Sequence, residues 1–221
     1  MLIKSIKSKD MTMSKTHSSS RKDGQQPLSN DGDPFQPGQL IPGKGVFLGI
    51  WSPKDRRDRS LNKTFNIFAA PYDLGLDENG QGKKLLVQSN DGVRAVGEIK
   101  NLMGHNGAEY KNDTELYKAL RNGTYNGEWF IPPRDLVNGT KAGGKKVQND
   151  NLYQHRNTGK LAGTFVTDGA SVLTHHWYRS ATEPSGGLMY NWIVDFTDGH
   201  GVWGGREVSL PLRVVRAELR P

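Results

Sequence analysis

Ten Asn-Gly and Asp-Gly dipeptides, five of each, punctuate this chain from Asp23-Gly24 to Asp198-Gly199. Such pairs accept the positive φ angles of a tight reversal, so they are the strongest short-range turn signals a sequence can carry. Between them lie short β-prone runs and only two or three stretches with helical spacing. That alternation predicts an α+β fold of twisted antiparallel sheets, a few short helices and long loops. The 221 residues suffice for a real core, yet only 34% are hydrophobic, so part of the chain is expected outside it. The absence of Cys excludes a disulfide scaffold, a thiol nucleophile and thiolate metal sites.

Three zones follow from composition. Residues 1–39 are polar and rich in Ser, Lys, Gly and Pro, and read as a basic N-terminal arm. Residues 1–30 carry six Lys/Arg against two Asp/Glu, which is +4 of the chain's +7. Asp33-Pro-Phe-Gln-Pro-Gly38 reads as extended linker, because each Pro pushes its predecessor out of the helical region. Residues 40–221 read as one folded domain. Its first strands are expected at Val46–Trp51 and Thr64–Ala70. Asp113–Arg121 predicts a helix, with Leu116, Tyr117 and Leu120 on one side and Asn122-Gly123 as the stop. Further short helices are expected from Pro133 and over Asn149–His155. Later strands are expected at Leu161–Val166, His176–Thr182, Leu188–Phe196, Gly201–Gly204 and Leu212–Leu219.

Several chemistry-bearing patterns fail on inspection. Gly38–Lys44 and Gly139–Lys145 nearly spell phosphate loops but lack the magnesium-binding Ser/Thr. His175-His176 point to opposite faces of a strand and cannot easily share one ion. The carboxylates Asp135, Glu183, Asp195 and Asp198 could pair for acid/base work, but no spacing brings two together. Asp198-Gly199 reads as a hairpin turn. No cofactor, metal or catalytic constellation is expected.

Two blocks carry more. One is Glu128-Trp-Phe-Ile-Pro-Pro-Arg-Asp-Leu136. The other runs Trp177-Tyr-Arg-Ser-Ala-Thr-Glu183, then Tyr190-Asn-Trp-Ile-Val-Asp-Phe-Thr-Asp-Gly199, then Leu212-Arg-Val-Val-Arg216. Together they resemble a bacterial and phage domain family of unknown function, best known at the C-terminus of collagen-like adhesins. The motif positions are Trp129, Pro132, Trp177, Trp192, Asp195, Phe196, Arg213 and Arg216, and the match covers about Trp129 to Arg216. Phe130, Pro133 and Tyr178-Arg179 depart from the family pattern. The resemblance implies a C-type-lectin-like fold. Glu183-Pro184-Ser185 and Trp192-Ile193-Val194 lack the oxygen ligands of the calcium-dependent lectins, so calcium-dependent sugar binding is not expected. Enzymes that share this fold use cysteines or an iron-binding His triad; the chain has no Cys and shows no such triad.

On residue grounds, Trp129, Trp192 and Phe196 are expected in the core, and Arg213 and Arg216 are expected to pair with carboxylates. Ligand recognition in such folds uses late loops, here Thr182–Met189 and Asp198–Ser209. Tyr178, Arg179, Tyr190, His200, Trp203 and Arg206 are therefore expected to be exposed contacts, since aromatics and Arg dominate binding surfaces. The expected function is a non-enzymatic structural or binding module of a virion: a phage decoration, fibre or receptor-binding subunit. Its arm would dock on other virion proteins, its late loops on a host-surface glycan or protein, within a homo-oligomer or larger assembly. The alternative is a bacterial cell-surface adhesin domain that binds polysaccharide or matrix polymers. Residues 1–13 lack a signal peptide's continuous apolar stretch, and no apolar run is long enough to span a membrane. Synthesis as a soluble cytosolic product is therefore expected.

Overall fold

The computed structural model describes residues 34–54, 60–74, 86–87, 110, 113–139, 149–165, 176–184, 190–205, 208 and 210–221. The fold is α+β, with few helices and only antiparallel strand pairs among the described residues. A four-stranded sheet has the order β1-β2-β3-β9, built from Leu40–Ile41, Gly45–Trp51, Phe65–Ala69 and Val215–Leu219. Strands from the two ends of the domain thus meet in one sheet, with β9 inside the expected Leu212–Leu219 segment. A second sheet pairs β5 (Trp177–Arg179), β6 (Tyr190–Asp195) and β7 (Gly201–Gly205) in that order. A two-stranded ladder joins β4 (Leu86–Val87) to β8 (Leu210–Pro211). Three short helices lie between: α1 (Asp113–Asn122), α2 (Arg134–Asn138) and α3 (Leu152–His155).

The helices follow from local chemistry. In α1, Leu116, Tyr117 and Leu120 form the buried face, as their spacing predicts. Gly123, at φ 72°, then ends it. Pro133, at φ −66°, caps α2, and Gly139 closes it in the left-handed region. Asn122-Gly123 and Asn138-Gly139 therefore stop helices rather than make hairpins. In α3 the Asn151 side chain accepts from the Gln154 amide at 2.9 Å.

The inner face of the four-stranded sheet supplies Val46, Phe65, Ile67, Val215 and Ala217 to a core. Leu116, Tyr117 and Leu120 of α1, Leu136 and Val137 of α2, and Tyr178, Val194 and Phe196 complete it. Trp51 is fully buried between Phe65, Tyr117 and Phe130 at centroid distances of 5.9, 6.2 and 6.2 Å. A smaller cluster holds Trp129 with Ala70, Leu74, Leu212 and Val214. Trp129 and Phe196 are thus core residues, as expected.

Two expectations are corrected. Leu161–Phe165 is not a strand: Gly159–Leu161 is a 3-10 turn, and the Thr164 hydroxyl donates back to Leu161 O at 2.8 Å. Tertiary contacts override the β-prone composition here, because Thr164 offers two oxygens to Arg213 and Phe165 lies 4.0 Å beneath that guanidinium. Val166 lies outside the described residues. Pro34–Gln39 is not a free linker either. Phe35 packs on Phe47 and Phe68, at 5.6 and 6.1 Å between centroids, and covers the outer sheet face. The Gly38 amide donates to Phe47 O at 2.8 Å. Packed chain therefore begins a few residues before Leu40.

Candidate functional site

The β6–β7 hairpin is built by its own sequence. Asp195 N donates to His200 O at 2.8 Å, and Gly199, at φ 78°, returns its amide to Asp195 O at 2.8 Å. The Asp195 carboxylate accepts from Thr197 N at 2.7 Å, and that of Asp198 from His200 N at 2.7 Å. This is the hairpin turn that Asp198-Gly199 predicts. The register sets Tyr190 opposite Gly205, Trp192 opposite Trp203 and Val194 opposite Gly201. Directly opposed residues share a face. Tyr190, Trp192 and Trp203 therefore form one aromatic surface.

That surface runs from core to solvent. Val194 is buried and Trp192 half-buried, whereas Tyr190 is 48% and Trp203 42% exposed. The indoles of Trp192 and Trp203 meet edge to face at 5.2 Å and 78°. A Cβ at Gly201 would come within 2.4 Å of the Trp192 ring, so glycine there lets the indole lie across β7. From the other side the Arg134 guanidinium stands 5.5 Å from the Trp192 ring centroid. Arg134 itself is fixed by its amide, which donates to Thr182 Oγ1 at 3.0 Å. The result is a braced aromatic ledge that ends in two exposed rings.

The expected contact residues divide. Tyr190 and Trp203 stand together on the ledge, and His200 is exposed in the hairpin turn. Tyr178 and Arg179 are not surface residues: they are 1% and 2% exposed. The Tyr178 hydroxyl donates to Asp73 Oδ2 at 2.8 Å, and its ring packs 4.3 Å from Phe196. Arg179 donates from Nη2 to Val208 O. Both sit on β5, the strand furthest from β7, where the sheet meets the core. Arg206, residues 185–189 and positions 207 and 209 lie outside the described residues, as does His175. His176 pairs with Asp195 at 3.3 Å. Arg213 and Arg216 pair with Asp73 and Glu218 at 2.9 and 3.2 Å, as expected.

Two buried polar centres escape the sequence reading. In the first, Asp150 inserts beside β2: Oδ2 accepts from Ile50 N at 2.7 Å, and Oδ1 meets His155 Nε2 at 2.9 Å. In the second, Asp135 Oδ2 accepts from Trp51 Nε1 at 2.9 Å and Asn149 Nδ2 at 3.4 Å, and Oδ1 accepts from the Tyr117 hydroxyl at 3.3 Å. The sequence singles out Asp135 but gives no sign of these partners, which lie 84, 14 and 18 positions away. Arg134 is also absent from the expected site residues, and its neighbour Pro133 was the only local hint of a fixed position.

A separate cleft of about 370 Å³ lies by the outer edge of β9, lined among others by Phe65, Leu120, Tyr125 and Leu219. Among the described residues no three His, Asp or Glu gather as a metal site, and no helix is long and apolar enough to cross a membrane. No protein-family model and no curated protein matches this chain.

Proposed function

We propose that this chain is a non-enzymatic binding module of a phage particle, a decoration, fibre or receptor-binding subunit with a C-type-lectin-like domain. In this reading the arm ahead of the packed Phe35 docks on other virion proteins, and the β6–β7 ledge meets the host surface. The observation that carries it is the exposed pair Tyr190 and Trp203 on a braced hairpin. Large rings left in water beside one another are what binding surfaces use as anchors. Their order costs little on binding, because the turn hydrogen bonds and the Trp192 stack already fix the strands. The +4 of residues 1–30 suits docking to an acidic shell.

The test is binding of the full chain to host-cell envelopes and to phage particles. Tyr190→Ala combined with Trp203→Ala is expected to lower envelope affinity at least about tenfold, roughly 1.4 kcal/mol. The same variant should cost about 1 kcal/mol of stability for the lost Trp192–Trp203 stack, plus the buried part of the two rings. Unchanged envelope binding by a folded variant would remove the ledge from this reading.

The second reading, a bacterial surface adhesin domain for polysaccharide, is favoured by one detail. Gly205, directly opposite Tyr190, adds no side chain of its own beside that ring, which leaves room for a flat sugar face to stack. A glycan array at low salt tests it: binding that disappears with Tyr190→Ala supports it, and silence across the array rejects it.

A further inference from the structure

Asp135 is held by four parts of the fold. It sits on α2 and is 8% exposed, and all its hydrogen bonds from other side chains come from neutral donors: Trp51 of β2, Tyr117 of α1 and Asn149 before α3. The charged groups around it are unevenly placed. Asp113, 3% exposed at the start of α1, adds a second negative charge, and Arg134 is its neighbour on α2. Beyond Asn149, the Asp150 carboxylate is occupied by His155 and the Ile50 amide. Burial and a like charge nearby favour the neutral acid, while the donors hydrogen-bonded to the carboxylate favour the anion. The geometry accepts the acid form: a proton on Oδ1 can be donated to the Tyr117 hydroxyl oxygen, 3.3 Å away.

We propose that Asp135 is a protonation switch that tightens the joint between β2, α1 and α2 in mild acid and loosens it above neutrality. Burial, first, and the Asp113 charge raise its pKa from 3.8 to about 6, against the lowering effect of the Trp51 and Tyr117 hydrogen bonds. The same surroundings push the Tyr117 hydroxyl well above its ordinary value, so it stays protonated in both states of Asp135. The sign follows by linkage. Between pH 3.8 and about 6 the folded chain holds a proton that the unfolded chain has released. Stability from this group therefore rises as pH falls through 6 and is lost as pH rises. Arg134, which lies next to Asp135 and against Trp192, ties the joint to the root of the aromatic ledge.

The experiment is urea unfolding of the full chain and of Asp135→Asn, from pH 4 to pH 8. Asn copies the neutral acid: its oxygen accepts from Trp51, and its amide faces Tyr117. The ratio of the folding constant of the wild-type chain to that of Asp135→Asn is expected to fall on the order of fiftyfold between pH 4 and pH 8. Taking the ratio cancels the contributions of groups that do not interact with Asp135. A ratio constant over this range overturns the proposal. If Asp135→Asn fails to fold, infrared spectroscopy of the wild-type chain decides. A buried protonated-acid carbonyl band at pH 5 that is gone by pH 7.5 supports the switch, and its absence at pH 5 overturns it. Asp113→Asn should move that transition to lower pH.

Discussion

Replacing Arg213 by Ala is expected to cost about 3–5 kcal/mol of folding free energy, the scale for leaving one member of a buried ion pair alone. The Arg213 side chain is fully buried and ties its own segment to two other stretches of chain, residues 70–73 and 164–165. Its Nε donates to Asp73 Oδ1 at 2.9 Å, Nη1 to Ala70 O and Pro71 O at 3.1 and 2.8 Å, and Nη2 to Thr164 O at 2.8 Å. The Thr164 hydroxyl takes a further bond at 3.1 Å, and the guanidinium stacks on Phe165. Truncation leaves the Asp73 carboxylate, 1% exposed, with its negative charge no longer opposed by Arg213. Arg213→Lys is expected to fail too, by about 2 kcal/mol or more. A single ammonium cannot face a carboxylate, two backbone carbonyls and Thr164 at once. Urea unfolding at pH 7 measures both, and a loss under about 1 kcal/mol for Arg213→Ala would show that the pair is dispensable.

Gly49→Ala is expected to be nearly as damaging, at about 3 kcal/mol or more. Leu48 is the extra residue of a bulge in β2, where the register against β3 shifts between Phe47 and Gly49. Gly49 has φ 140°, a region that L residues with a side chain rarely enter, costing on the order of 1–3 kcal/mol. A Cβ there would stand 2.1 Å from Asp150 Oδ2. The carboxylate would have to withdraw, which frees the buried Ile50 amide and breaks the contact with His155. An orphaned buried donor adds about 1–3 kcal/mol. Thermal unfolding checks this. A melting temperature within a degree of wild type would mean that the bulge adapts without displacing Asp150.

These two sites show what the sequence carries and what it hides. β2, β3, β6 and β7 are visible as short β-prone runs, α1 as a helical stripe, and the Asp198-Gly199 turn as a dipeptide, because each is a local pattern. The fates of the other Asn-Gly pairs are partly visible: the same positive φ that closes a hairpin also ends α1 and α2, and helix context decides between them. Arg213 and Arg216 are expected to find carboxylates, and they do. The identity of the Arg213 partner is hidden, since Asp73 lies 140 positions away. The bond from Ile50 to Asp150 spans 100 positions. Tyr178 and Arg179 have the composition of a binding surface, but their strand sits against the core, and position in the sheet outweighs residue type. For the ledge, alternation in Tyr190–Phe196 shows an aromatic face. Which rings reach solvent depends on where that strand leaves the core, and no local pattern states that.

The most direct test of the ledge as the binding surface is hydroxyl-radical footprinting of the full chain, free and bound to host-cell envelopes. Oxidation of Tyr190 and Trp203 is expected to fall several-fold on binding, while Leu219, 61% exposed on the separate β9 edge, keeps its free rate. A bound chain in which Tyr190 and Trp203 react as fast as in the free chain would contradict the assignment.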